Sequence, residues 1–329
     1  MKTMKWLLRR EYWEHKGAFF WAPAVIALIM LVFIGGGIVY GIAGGHLGDS
    51  ITIRHDGNVT TSVPAHMMPY EKRAEAASML ASHYLGFAAP LFVVLPVVVF
   101  FYCLAALHDD RRDRSILFWK SLPVSDQMTV LSKVITAVCV APVITTALGT
   151  ALSLIVLLLG ATAAALHGLN LFGALFMSPN LYLSPAYLVG LLPVYVLWAL
   201  PTVGWLLMVS SWARSKVFLW AVGTPLIVLL LLQWFNIMIA RVSDTLIDTH
   251  WIGQNIVARG LGGLIPGIWF PFVLKNPAAL GSKAHGVDPT AVFTESWLTL
   301  GTPGVWLGAV AGVLMIVAAI RLRRWRDEG

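Results

Sequence analysis

Six stretches of this chain are apolar for longer than a soluble fold requires. They run from Phe19 to Gly44, Leu85 to Leu107, Val134 to Gly160, Ala186 to Val209, Val217 to Ile239, and Pro303 to Ile320. A helix rising 1.5 Å per residue needs about 20 apolar residues to cross the hydrocarbon of a bilayer. Each stretch is therefore a transmembrane candidate, and the expected fold is an all-α, six-span membrane protein. Only 12% of the 329 residues are charged, about half of what keeps the surface of a soluble domain hydrated. The first stretch is too long for a cleaved signal peptide, and no small-residue cleavage motif closes it.

The net charge of +7 has an uneven distribution that sets orientation. With six spans and the N-terminus inside, 16 of the 23 basic residues fall on the inner segments, while the 16 acidic residues divide evenly. This positive-inside bias predicts that both termini are cytoplasmic; the expected location is the plasma (inner) membrane of a bacterium. It explains the basic pI without nucleic acid and implies some affinity for anionic membrane lipids. Cys103 and Cys139 each lie inside a span, outside any Cys-x-x-Cys or metal-type spacing, and read as small buried thiols.

The chain reads as a single transmembrane domain, 1–329. Residues 1–18 form an interfacial helix in this reading, with Met4, Leu8 and Tyr12 in one row and Trp6 and Trp13 at headgroup depth. Glu11 and His15 interrupt its apolar face. In the first outer loop, Ile51 to Arg54 and Asn58 to Val63 are strand-like, and Tyr70 to Tyr84 is a helix entering the second span, which Pro90 and Pro96 should bend. The stretch Ala161 to Pro185 reads as a short apolar loop. Residues 240–302 are the longest connection. Its run Ile265 to Leu274 is too broken by Pro and Gly to span and too apolar for water. Two readings stand: short re-entrant helices dipping back into the outer leaflet, or a folded external cap.

Within these boundaries no span contains Asp, Glu, Lys, Arg or His. Proton relays and ion pathways are built from such groups, so the spans offer no means of harvesting an ion gradient. Gln233 and Asn236, one turn apart in the fifth span, read as hydrogen-bonding partners for a neighbouring segment. No phosphate-binding loop, nucleophile elbow or His-Glu-x-x-His occurs. The outer residues His46, Asp49, His55, Asp56 and His66 match no ligand spacing and read as solvated. The expectation is a non-enzyme that binds no metal or cofactor of its own. A secondary transporter or channel, or a membrane-embedded enzyme, remains the alternative.

The most specific segment is 108–133, between the second and third spans. A charged start, His108-Asp109-Asp110-Arg111-Arg112-Asp113, leads into Ile116-Leu117-Phe118-Trp119. Pro123 then forces Leu122 out of helical geometry, and Ser125 caps the next helix. A short apolar helix held between two spans is a handle for another protein.

This segment resembles the coupling loop of ATP-binding-cassette transporter permeases, specifically the six-span exporter-type (type two) family. Asp113, Leu117, Ser121, Leu122, Pro123, Ser125 and Lys133 fit that pattern, while Arg114 stands where the family usually has Gly. Asn276-Pro277 resembles the family's Asn-Pro near its external helices, and the six-span plan matches over nearly the whole chain. The resemblance implies a permease that docks on a separate ATPase dimer through Asp113, Ile116, Leu117, Phe118, Trp119, Leu122, Pro123 and Ser125. Ser211 to Lys216 would be a second docking point. It further implies a second permease copy or homologue, ATP and Mg on the partner rather than on this chain, and an outer gate at Trp269, Phe270, Pro271, Phe272, Asn276 and Pro277. The family relation favours export, and the apolar, aromatic interior suits an amphipathic or lipid-like cargo.

Overall fold

The computed structural model describes residues 2–44, 50–55, 59–64, 67–112, 125–240, 247–274, 280–282 and 286–326. Six helices in it are long and apolar enough to cross a membrane: Gly17–Ala43, Tyr70–Arg112, Asp126–Leu166, Pro179–Trp212, Leu219–Ile239 and Pro303–Arg324. By helix length and hydropathy the chain is a multi-pass membrane protein. The rest is helical too, apart from two small antiparallel hairpins. One pairs Ser50–His55 with Val59–Pro64, as the strand-like residues of the first outer loop predict, and the other pairs Gly281–Ser282 with Gly286–Val287.

Proline sets the local helical geometry of several spans. Pro23, Pro142 and Pro225 each stand at the start of an α-helix, where a missing N–H costs little. Each is preceded by one π-helical turn, at Gly17–Trp21, Thr136–Val140 and Leu219–Gly223. The residue four back from each proline falls inside that turn. The pyrrolidine ring would clash with its carbonyl in a regular α-helix, and widening the turn relieves the clash. Pro90 is accommodated differently, by the 3-10 segment Tyr84–Ala88 ahead of the helix Ala89–Arg112.

The fourth span is the hub of the bundle and packs chiefly on the sixth and second. Gly204 and Gly312 permit the closest approach. A Cβ on Gly204 would lie 2.5 Å from the Gly312 carbonyl oxygen, and one on Gly312 would lie 2.6 Å from the Leu200 carbonyl. Small residues at such crossings let transmembrane backbones touch, which supplies packing that lipid does not oppose. The surrounding core includes Val99, Cys103, Val194, Trp198, Leu206, Val305 and Ala319. The first and fifth spans lie at the periphery, with no residue of their most apolar stretches buried.

Two sequence expectations need correction. Residues 161–185 are largely helical: the third span runs to Leu166, and short helices follow at Phe172–Met177 and Pro179–Gly190. Pro179 starts the last of these, where a proline is tolerated in the first turn, and Pro185 lies within it. The N-terminal helix, Lys2–Glu14, buries Leu7 and Glu11 and leaves Met4, Leu8 and Tyr12 half-buried, while Trp6 and Trp13 stay exposed, consistent with the interfacial reading. Cys103 is buried as expected, but Cys139 is exposed.

Candidate functional site

The spans carry no charges within their apolar limits, yet a buried ionic cluster joins them at one end. Glu11, which the sequence pattern makes an interruption, is 1% exposed. Its carboxylate lies 3.1 Å from Lys133 Nζ at the start of the third span and accepts a 2.8 Å hydrogen bond from the Tyr102 hydroxyl in the second. Lys133 Nζ also lies 3.5 Å from Asp110 Oδ2. Arg323, 4% exposed on the sixth span, donates through Nη1 to the same Asp110 oxygen at 3.3 Å. Its Nε approaches Asp126 Oδ1 at 3.3 Å, an ion pair without hydrogen-bond alignment. Buried charges survive only when paired in this way.

The geometry of this cluster follows from where its members stand. Asp110 ends the second span and Asp126 opens the third, so they flank the segment 113–124 on either side. One guanidinium holds both stems, and Lys133 links that pair to the N-terminal helix. Ser125 sits at the far stem in extended backbone (ψ 147°), its hydroxyl accepting from the Met128 N–H at 3.3 Å, the helix cap that the sequence predicts. Asp113, Ile116, Leu117, Phe118, Trp119, Leu122 and Pro123 lie outside the described residues, as do Asn276 and Pro277. Glu11, Glu14 and His15 also bring ligand-type atoms within 4.8 Å of one another. Glu11 is already engaged by Lys133 and Tyr102, and Glu14 by Arg10 at 2.8 Å. Ion pairing therefore accounts for the carboxylates without a metal.

A second feature is an apolar cavity of about 810 Å³ between the second, third and fourth spans and the outer segment. Its wall includes Phe92, Phe100, Tyr195, Phe218, Trp269 and Phe270. Such a volume falls within the range of small-molecule sites, which are mostly apolar with few polar groups. Thr146 and Tyr195 are the polar side chains in its lining, and the Tyr195 hydroxyl is enclosed, with no hydrogen-bond partner among the described residues.

The outer segment closes one end of this cavity. Trp269 is 2% exposed and donates to Ser296 Oγ at 2.8 Å, and its ring lies 6.4 Å from Trp198 of the fourth span. Phe272 stacks obliquely on Trp198 at 5.7 Å, whereas Pro271 points outward. Of the six sequence-predicted gate residues, the structure thus brings Trp269, Phe270 and Phe272 together. Thr202, ten residues into the helix Leu192–Trp212, donates to the Arg259 carbonyl at 3.2 Å and accepts from the Gly263 N–H at 3.1 Å. Ten residues are about 15 Å of helix, so the segment reaches to mid-height of the fourth span. That depth favours the re-entrant reading over an external cap. Gly263 has no room for a Cβ, which would collide with the Trp198 carbonyl.

Arg259 was not identifiable from sequence. Its guanidinium lies 4.3 Å from the Trp198 ring, a cation–π contact, and above Gly308, whose hypothetical Cβ would come within 2.5 Å of Nη2. The Gly304-x-x-x-Gly308 spacing is the only sequence signal for this groove. Asn236 also finds its partner at this end, exchanging two hydrogen bonds with the Ile247 backbone, at 2.6 and 3.1 Å, while Gln233 is exposed. Compared with known protein families, characterised proteins and solved structures, the chain matches none.

Proposed function

We propose that the chain is the membrane subunit of an ATP-driven transporter. It would provide the substrate pathway and receive force from a separate ATPase through the segment 113–124. The observation that carries this reading is the clamp at the root of that segment. Asp110 and Asp126 are both bound by Arg323, and Asp110 is tied through Lys133 to Glu11. Displacing the segment must move the second, third and sixth spans and the N-terminal helix together. The apolar cavity beside the second and fourth spans is the cargo site in this reading. Its lining suits an amphipathic or lipid-like molecule, and export follows from the family resemblance. The ATPase would be a dimer carrying ATP and Mg, with two permease chains above it and both termini cytoplasmic.

The test is co-purification and turnover. A Walker-A ATPase should copurify with the chain, and its ATP turnover should rise on assembly. Replacing Leu117, Phe118 and Trp119 together by Ser should abolish the stimulation while membrane insertion persists. Stimulation that survives this change would remove the segment from the mechanism.

A second reading, a proton-coupled carrier, draws on Glu11 and Asp110, which are ionisable and enclosed. Both are engaged by cations at one end of the bundle, and the spans beyond them contain no acidic or basic residue to continue a relay. Transport by the purified chain alone in liposomes, driven by a pH gradient, would favour it.

A further inference from the structure

A cleft of about 530 Å³ opens where the second span ends beside the turn between the fourth and fifth. His108, Arg111, Arg112, Arg214, Ser215 and Lys216 line it. We propose that this cleft binds the phosphate of an anionic phospholipid, with the lipid tail lying along the neighbouring face of the second and fifth spans.

The cleft is built to hold cations in place. Arg111 Nη2 donates to the Ser210 carbonyl at 2.5 Å and to the Ala213 carbonyl at 3.0 Å, so the guanidinium is fixed across the gap between the two spans. Lys216 adopts φ 50°, the only non-glycine residue in the left-handed region among the described residues. That turn folds Arg214, Ser215 and Lys216 back against the second span. A strained backbone of this kind is tolerated when its surroundings enforce it. Arg112, Arg214 and Lys216 form no ion pair among the described residues, and Asp109 is engaged by His108 at 3.0 Å. Among the described residues, the cleft therefore gathers three cations, Arg112, Arg214 and Lys216, that no carboxylate pairs with.

The surroundings select a lipid over a free anion. Trp212 and Trp220 form an edge-to-face pair with centroids 5.0 Å apart beside the turn, the aromatic signature of headgroup depth. Phe101, His108 and Arg112 recur at seven- and four-residue spacing and share one face of the second span. Phe101 is 56% exposed and stacks on Phe218 of the fifth span, with rings 14° from parallel. An apolar track thus runs along that face from the basic cleft to the mouth of the 810 Å³ cavity, which Phe101 and Phe218 also line. Inorganic phosphate has no use for such a track, and neither does an acidic protein surface. Basic pockets between spans that hold lipid headgroups have this composition.

The test compares the wild-type protein with the double variant Arg214→Gln/Lys216→Gly in detergent. Glycine suits the left-handed turn, so this variant should fold at least as well, which a thermal melt in phosphatidylcholine micelles will verify. Native mass spectrometry then measures retention of added phosphatidylglycerol against phosphatidylcholine of the same chains. The wild type should prefer phosphatidylglycerol by roughly tenfold, and the variant should lose most of that preference. Inorganic phosphate at the same concentration should not displace the lipid. Equal retention by both proteins would overturn the proposal, as would displacement by phosphate, which would indicate a free-anion site. Unchanged lipid preference combined with loss of ATPase co-purification would instead make the cleft a protein dock. The lipid-retention and melting readouts need neither transport nor an ATPase, so the proposal can fail or stand independently of the transporter reading.

Discussion

Glu11 and Lys133 stand 122 residues apart in sequence and 3.1 Å apart in space, both almost wholly buried. Removing either partner leaves a charge with no water to solvate it. Lys133→Met or Glu11→Gln alone should destabilise the protein by about 3–5 kcal/mol. The double variant should recover much of that loss, because Asp110 keeps Arg323 and Tyr102 can donate to the new amide. Thermal melting of the four proteins gives the coupling energy, and additive losses would show that the pair is not a unit.

Arg323 serves two carboxylates with one planar group. Lysine in its place retains the charge but offers a single point donor, so Arg323→Lys should release one stem of the 113–124 segment. Membrane insertion and melting temperature should change little, whereas ATPase stimulation should fall several-fold. Full stimulation by the lysine variant would mean that simultaneous contact with Asp110 and Asp126 is not needed for coupling.

Gly312 and Gly308 should fail differently when enlarged. Gly312→Val pushes side-chain atoms into the backbone of the fourth span, and overpacking of this type costs about 1–3 kcal/mol. Gly308→Ala meets only the end of Arg259, which can move. Its effect should be smaller and should vanish in an Arg259→Met background, as a double-mutant cycle in melting temperature would reveal.

Tyr195→Phe removes a buried hydroxyl that has no partner among the described residues. Stability should be unchanged or slightly higher. Because that oxygen is enclosed, cargo-stimulated ATP turnover, in the transporter reading, should be unchanged for cargos with and without a hydrogen-bond acceptor. A drop confined to acceptor-bearing cargos would instead place the hydroxyl in the cargo site.

Asp288 caps the helix Pro289–Leu298, accepting from the Thr290 hydroxyl at 2.7 Å and the Thr290 N–H at 2.9 Å. The Thr290 hydroxyl bond is the main reason its carboxyl lies below the ordinary value, partly opposed by desolvation and helped by the backbone bonds. A depressed folded value means that the cap contributes fully above about pH 4, where the unfolded carboxyl is ionised. The contribution fades as pH falls through the lower folded value. Protection factors of the amides in residues 290–294, corrected for the intrinsic exchange rate, should therefore fall on acidification, and Asp288→Asn should make them insensitive to pH.

The spans were legible in the sequence because length and apolarity are properties of contiguous residues. The first-loop strands, the helix at Tyr70 and the Ser125 cap were legible for the same reason: each is a local pattern. The ionic clamp was not. Glu11 breaks an apolar face and Asp110 sits in a charged run, and both look solvated until a partner more than a hundred residues away is brought beside them. Arg259 was hidden likewise, since its place depends on two glycines in another span leaving a groove. The residues 161–185 misled because their helices are short and apolar: Pro179 starts one, and Pro185 is carried inside it.

A single hydroxyl, that of Thr202, holds the outer segment at two successive points, giving its proton to the Arg259 carbonyl and receiving one from the Gly263 amide. Both attachments run through one oxygen atom, and a side chain at Gly263 has no room to add another. Loss of that one hydroxyl would therefore untie the segment from the fourth span at both places at once.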